Sequence, residues 1–223
     1  MKIFRTINFN IVEELCKDAL ENSKMVALIG YPGAGKTIAL KYFQNNNENV
    51  IYSVVRKSMT PKEFYLEILR DVGYEGDVLQ SSLFVILNMI IFRIKKLKKK
   101  TLLIIDEAGK FKPGQLEYIH EMRDQTIDHL GILLAGPEYF FDNLYNWKER
   151  KVIGIPEVFR RLETIEALGP PSFIEIKSFC IAYGITDLKV IRTKFRNCSN
   201  FGELYNNILK YLKDLDQEQD DDS

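Results

Sequence analysis

Short apolar runs alternate with stretches of helical periodicity along the first 135 residues. Ile11, Leu15 and Ala19 share one stripe and predict an amphipathic helix over 11–22. Met25–Gly30 is a continuous apolar run ending in glycine, the pattern of a strand buried on both faces. A glycine-rich turn follows, then a helix that the asparagines at 45–47 stop. Asn49–Val55 reads as a second strand. Thr60, Pro61 and Glu63 spell a capping box with proline at the first helical position, opening a helix to about Asp71. Leu83, Ile86, Leu87, Ile90, Ile94 and Leu97 recur at helical spacing, so 81–97 is a largely buried helix. Its end carries the cluster Lys95–Lys100, where positive charge suits a helix C-terminus. Thr101–Gly109 is a strand with two acids at its tip, followed by a helix at 114–124 and a strand at Gly131–Ala135.

This alternation predicts an α/β fold with a parallel sheet flanked by helices. Beyond Phe140 only Leu162–Leu168 offers a further strand. Ser172 and Glu175 form a second capping box behind Pro170-Pro171, starting a helix to about Tyr183, and two more helices fit 186–195 and 200–213. The expected organisation is an α/β domain at 1–169, a small helical lid at 170–213, and an acidic, disordered tail at 214–223.

At 223 residues, with 46% hydrophobic and 28% charged positions, collagen-like, disordered and disulfide-scaffold classes are excluded. The apolar stretch Leu83–Ile94 is too short to span a bilayer and carries Asn88 and Arg93. The first residues lack a signal-peptide pattern, and Cys16, Cys180 and Cys198 are scattered without metal spacing; both point to a reducing cytoplasm and no membrane partner. Net charge is zero, but the last ten residues hold six acids, leaving the body at +6. Such a body permits a nucleic-acid partner without demanding one.

The chemistry concentrates in two segments. Gly30-Tyr31-Pro32-Gly33-Ala34-Gly35-Lys36-Thr37 matches GxxxxGK(S/T) in full, between an expected strand and an expected helix. Its backbone N–H groups would cradle a phosphate chain, Lys36 would contact the β- and γ-phosphates, and Thr37 would ligate Mg²⁺. Asp106 and Glu107 end an apolar strand 69 residues beyond Thr37. Asp106 would hold the metal, through water in most such sites, and Glu107 would polarise the attacking water. The substrate and ion implied are ATP and Mg²⁺. An arginine is then needed for charge developing on the transferred phosphoryl group; Arg160 and Arg161, supplied by a neighbouring subunit, are the candidates.

These motifs, with DEAGKFKPGQLEYIHEMRD, GILLAGPEYF, GIPEVFRRL and CSNFGELYNNI, make nearly the whole chain resemble AAA+ ATPases of the Mu B/TnsC/IstB transposition-regulator group. The likeness is to compact Mu B-like members without an N-terminal DNA-binding domain. The resemblance implies ATP-dependent self-assembly into filaments or rings on double-stranded DNA, selection of target DNA, and activation of a transposase. In related rings, loops after the second strand and after the acidic strand face the central channel. Here they carry Arg56, Lys57 and Lys62, and Lys110 and Lys112, a sequence-neutral set suited to phosphates.

Two departures stand out. Gly136-Pro137 lies near the strand tip where AAA+ proteins usually place a polar residue to orient water, and Gly202 follows Asn200-Phe201 where an arginine often stands. Both imply slow hydrolysis, with ATP as an assembly switch. The main alternative is an AAA+ helicase loader or replication-initiation ATPase. A small-molecule kinase fits less well, because it needs no water-activating carboxylate and no arginine-rich acceptor lid is visible. An ABC-type ATPase lacks support, since no LSGGQ-like segment precedes Asp106.

Overall fold

The computed structural model describes residues 3–221, with side chains placed to residue 217. Five parallel strands form one sheet in the order β2-β3-β4-β1-β5: β1 Met25–Ile29, β2 Val50–Val54, β3 Thr101–Asp106, β4 Leu130–Gly136 and β5 Leu162–Ala167. The expected α/β fold is therefore present. β1, β3 and β4 are buried along their whole length, because helices cover both faces.

Alternation along the strands divides the core in two. Val26, Leu28, Leu102, Ile104, Leu133 and Ala135 pack under α1 (Ile7–Asn22) and α2 (Lys36–Asn45). Leu103, Ile105, Ile132 and Leu134 face α3 (Pro61–Asp71), α4 (Leu83–Lys96), α5 (Pro113–Gln125), α6 (Glu138–Glu149) and α7 (Ile155–Arg161). A third apolar cluster is confined to the C-terminal helices, α8 (Phe173–Ala182), the short α9 (Leu188–Val190) with the π-helical turn Ile191–Phe195, and α10 (Phe201–Asp221).

Capping chemistry sets several boundaries as the sequence predicts. Thr60 and Ser172 each accept from the backbone three residues on, while Glu63 and Glu175 reach back to them. α1 starts four residues before the expected point, because Thr6 accepts a hydrogen bond from Phe9 N and Phe9 is buried. Helices α6 and α7, and the 3₁₀ turn Ala108–Lys110 that re-aims the chain after β3, go beyond what the sequence pattern predicts. The expected acidic tail instead begins inside a helix, since α10 continues to Asp221, and its last two residues lie outside the described residues. Cys16, Cys180 and Cys198 are free and buried. Among the described residues, no helix is long and apolar enough to cross a membrane.

Candidate nucleotide site and neighbouring surfaces

The glycine-rich loop joins β1 to α2 at the C-terminal edge of the sheet, where open α/β sheets hold ligands. Gly33 and Gly35 have φ of +86° and +93°, a conformation that side chains rarely tolerate. They turn the loop so that the N-terminus of α2 faces its hollow. The Lys36 ammonium donates to the carbonyl oxygens of Gly30 and Tyr31. Burial pulls its pKa down, and Asp106, Glu107 and Glu138 oppose that shift. A half-buried ammonium bonded only to carbonyls is well placed to take phosphate oxygens, which are stronger acceptors.

Asp106, at the end of β3, is 3% exposed. Its Oδ2 accepts from Thr37 Oγ1 at 2.7 Å and from the Tyr52 phenol at 2.6 Å, and its Oδ1 accepts from Glu107 N at 2.8 Å. The Thr37–Asp106 contact brings together the two residues expected to hold magnesium. Mg²⁺ takes few protein ligands and keeps several waters, so a hydroxyl and one carboxylate fit it. Thr37 and Asp106 would hold the ion, whose positive charge would offset that of the phosphates. Tyr52 carries no motif of its own in the sequence. Burial and the Asp106 carboxylate push its pKa up, which keeps the phenol a donor.

Glu107 has φ +60° and ψ +30°, left-handed for a residue with a Cβ, at a cost of about 1–3 kcal/mol. Its carboxylate meets Lys110 Nζ at 3.1 Å. The expected water-activating carboxylate is thus beside the phosphate loop but paired within its own 3₁₀ turn.

Both sequence departures sit where packing is tight, more severely at Gly136 than at Gly202. A Cβ on Gly136 would lie 2.8 Å from Phe140 Cδ1, so the buried Phe140 ring leaves no room for a polar side chain at the tip of β4. A Cβ on Gly202 would lie 3.1 Å from Gly33 Cα, because Gly202 N donates to Gly33 O at 3.1 Å and the start of α10 packs on the phosphate loop. Asn200, which caps α10 through Glu203 N, fills the remaining space. We expect Gly202→Arg to lower the thermal midpoint and weaken nucleotide binding rather than to restore faster turnover. Thermal melts with parallel nucleotide titrations check this, and a faster, equally stable variant would contradict it.

A cavity of about 430 Å³ opens beside the loop, lined by Gly33–Ile38, Glu107 and an aromatic group from the N-terminal segment, α8 and α10. Phe179 and Tyr183 stack at 5.4 Å, and Phe4 lies 4.4 Å from Phe179. The volume and flat apolar walls suit a nucleobase adjoining the phosphates.

The arginines separate cleanly. Both end α7, immediately before β5, whose first residue pairs with Met25 at the start of β1. The phosphate loop leaves the other end of β1, roughly 15 Å away at the usual strand rise. Neither arginine is therefore near its own phosphate loop. Arg161 is held by Asp124 of α5 through bonds of 2.6 and 2.7 Å. Arg160 is exposed and has no ion pair among the described residues.

Val54 of β2 pairs with Asp106, so the loops after β2 and β3 lie side by side. Of the five cationic residues expected at DNA, Arg56, Lys57, Lys110 and Lys112 lie on the segments that follow these two strands, while Lys62 lies in the first turn of α3. Three already have partners: Arg56 with Glu67 at 2.9 Å, Lys62 with the Leu79 carbonyl, and Lys110 with Glu107. Lys57 and Lys112 are exposed and have no ion pair among the described residues.

The sequence pattern of the AAA domain matches residues 19–144. No curated protein matches the sequence. Among solved structures, the ORC2 protein of Aeropyrum pernix in its ADP form is 17% identical, with 98% of this chain and 66% of that one covered at TM-score 0.67. The Aeropyrum pernix ORC1 protein in complex with DNA is 15% identical, covering 88% and 56% at TM-score 0.62. Cdc6p of Pyrobaculum aerophilum is 14% identical, covering 78% and 47% at TM-score 0.58. The chain spans about half to two thirds of the length of these proteins. The domain match takes in more than half the sequence, including the phosphate loop, Asp106 and Glu107, and the chain belongs to the AAA domain family.

Proposed function

We propose that the protein is an ATP-operated, DNA-acting switch that assembles when Arg160 of one copy reaches the nucleotide of the next. The observation that carries this reading is the contact of Thr37 with Asp106 beneath a complete phosphate loop. That pair is suited to a metal and sits beside Lys36, while the cation proposed for hydrolysis lies on the far side of the same chain. ATP binding, slow hydrolysis and self-association then follow from one geometry. Residues 170–213 act as the lid, with α10 resting on Gly33 and closing the aromatic cavity.

Two processes use such a switch. The structural likeness to ORC1, solved in complex with DNA, and to ORC2 supports an initiator or helicase-loader role. That reverses the order suggested by sequence segments alone, which resemble regulators that select target DNA and activate a transposase. The transposition reading stays second, supported by DEAGKFKPGQLEYIHEMRD and LLAGPEYF. Electron microscopy with an ATP analogue and long duplex DNA separates the two. Continuous ATP-dependent coating supports the transposition role, and discrete particles support the initiator role. Isolated monomers under every condition would overturn both.

Duplex phosphates offer Lys110 an alternative to Glu107, so DNA binding would release the water-activating carboxylate. We expect Lys110→Ala to raise DNA-independent ATP hydrolysis several-fold and to reduce its stimulation by DNA. Phosphate-release assays with and without duplex check this; unchanged basal and stimulated rates would remove Lys110 from the coupling. Lys57 and Lys112 are proposed to bind DNA phosphates directly, so replacing either with alanine should reduce the salt slope of DNA affinity by about one unit.

A further inference from the structure

Resting on the ATP site proposed above, we infer that Tyr52 is a positioning residue for the magnesium-holding carboxylate. Tyr52 pairs with Ile104 in the β2–β3 ladder, and Asp106 lies two residues further along the same face. That diagonal is within reach of a phenol across neighbouring strands. The same register places Tyr52 and Asp106 on the side of the sheet covered by α1 and by α2, which carries Thr37, and the Tyr52 ring packs against the core there.

Asp106 is sealed from bulk water, so its orientation depends on the groups that bond it. Glu107 N holds one oxygen, while Tyr52 and Thr37 share the other. Thr37 has one proton and two lone pairs, so it can go on donating to Asp106 while offering a lone pair to a metal. Tyr52 has no such second task. Its hydroxyl donates to the same carboxylate oxygen as Thr37 and holds that oxygen from the strand side. Groups of this kind behind a metal ligand typically change metal affinity by 10–100-fold when removed.

Tyr52→Phe removes one oxygen and leaves the ring in place, so it tests this role without hollowing the core. The measurement is binding of a fluorescent ATP analogue to the full chain across a Mg²⁺ titration, with a parallel run in chelator and a thermal melt. We expect the Mg²⁺ concentration for half-maximal effect to rise about tenfold, with nucleotide affinity in chelator within about twofold of wild type. An unchanged Mg²⁺ titration, or equal losses with and without Mg²⁺, would assign Tyr52 a purely structural role. A wild-type chain that binds no nucleotide at all would instead remove the ATP reading itself.

Discussion

Arg160→Ala is expected to reduce ATP hydrolysis by about a thousandfold while leaving nucleotide affinity of the isolated chain unchanged. An arginine supplied in trans to the transferred phosphoryl group contributes on the order of 10³–10⁵ in rate. Arg160 ends α7 at the edge of the sheet opposite its own phosphate loop, and it is exposed without an ion pair among the described residues. Arg161 differs although it is adjacent, because Asp124 already engages its guanidinium at 2.6 and 2.7 Å. Arg161→Ala should therefore lower the thermal midpoint modestly, by untying α7 from α5, and reduce hydrolysis much less. Mixing supplies the sharper check. Arg160→Ala retains a phosphate loop and Lys36→Ala retains the arginine, so a mixture should recover activity that neither has alone. If the mixture stays inactive, or if Arg161→Ala is the more damaging change, the assignment fails.

The second large effect is expected at Glu107. Glu107→Gln keeps the side-chain length but cannot accept a proton from water, and loss of a general base typically costs 10²–10⁴ in rate. Glu107 sits in left-handed backbone conformation just past Asp106, and glutamine matches its size and branching. We expect hydrolysis to fall about a thousandfold, nucleotide affinity to hold, and ATP-dependent assemblies to persist for longer than with the native chain. Sedimentation with ATP follows this over time. Assemblies that dissolve as quickly as those of wild type would show that hydrolysis does not govern disassembly.

The legible parts of this molecule are those whose physics is local in sequence. The phosphate loop is one such part, since Gly33 and Gly35 must be glycine for their backbone angles. The capping boxes at Thr60 and Ser172 are others, each closed within four residues. The helices α6 and α7 escape a sequence reading because their apolar stripe is thin: α6 buries only Phe140 and Leu144 among aromatic and charged neighbours. Relationships across the sheet are not readable from the chain alone. Tyr52 meets Asp106 through strand register, and Arg161 meets Asp124 from a helix 37 residues earlier. Arg160 and Arg161 look alike in sequence and differ only through that distant partner. The glycines at 136 and 202 read as missing catalytic side chains, yet Phe140 leaves no room for a Cβ at 136 and Gly33 packs closely on 202. The set expected at DNA follows from position in the sequence, which does not reveal that Arg56 and Lys110 already have acidic partners.

Occupancy of the phosphate loop by Mg²⁺–ATP drives everything proposed for this chain. Titration calorimetry of ATP into the full chain, with Mg²⁺ present and with Lys36→Ala as control, tests that most directly. The account predicts one site per chain, binding that tightens with Mg²⁺, and loss of the signal in Lys36→Ala. No heat from the native chain, or an identical isotherm from the variant, would contradict it.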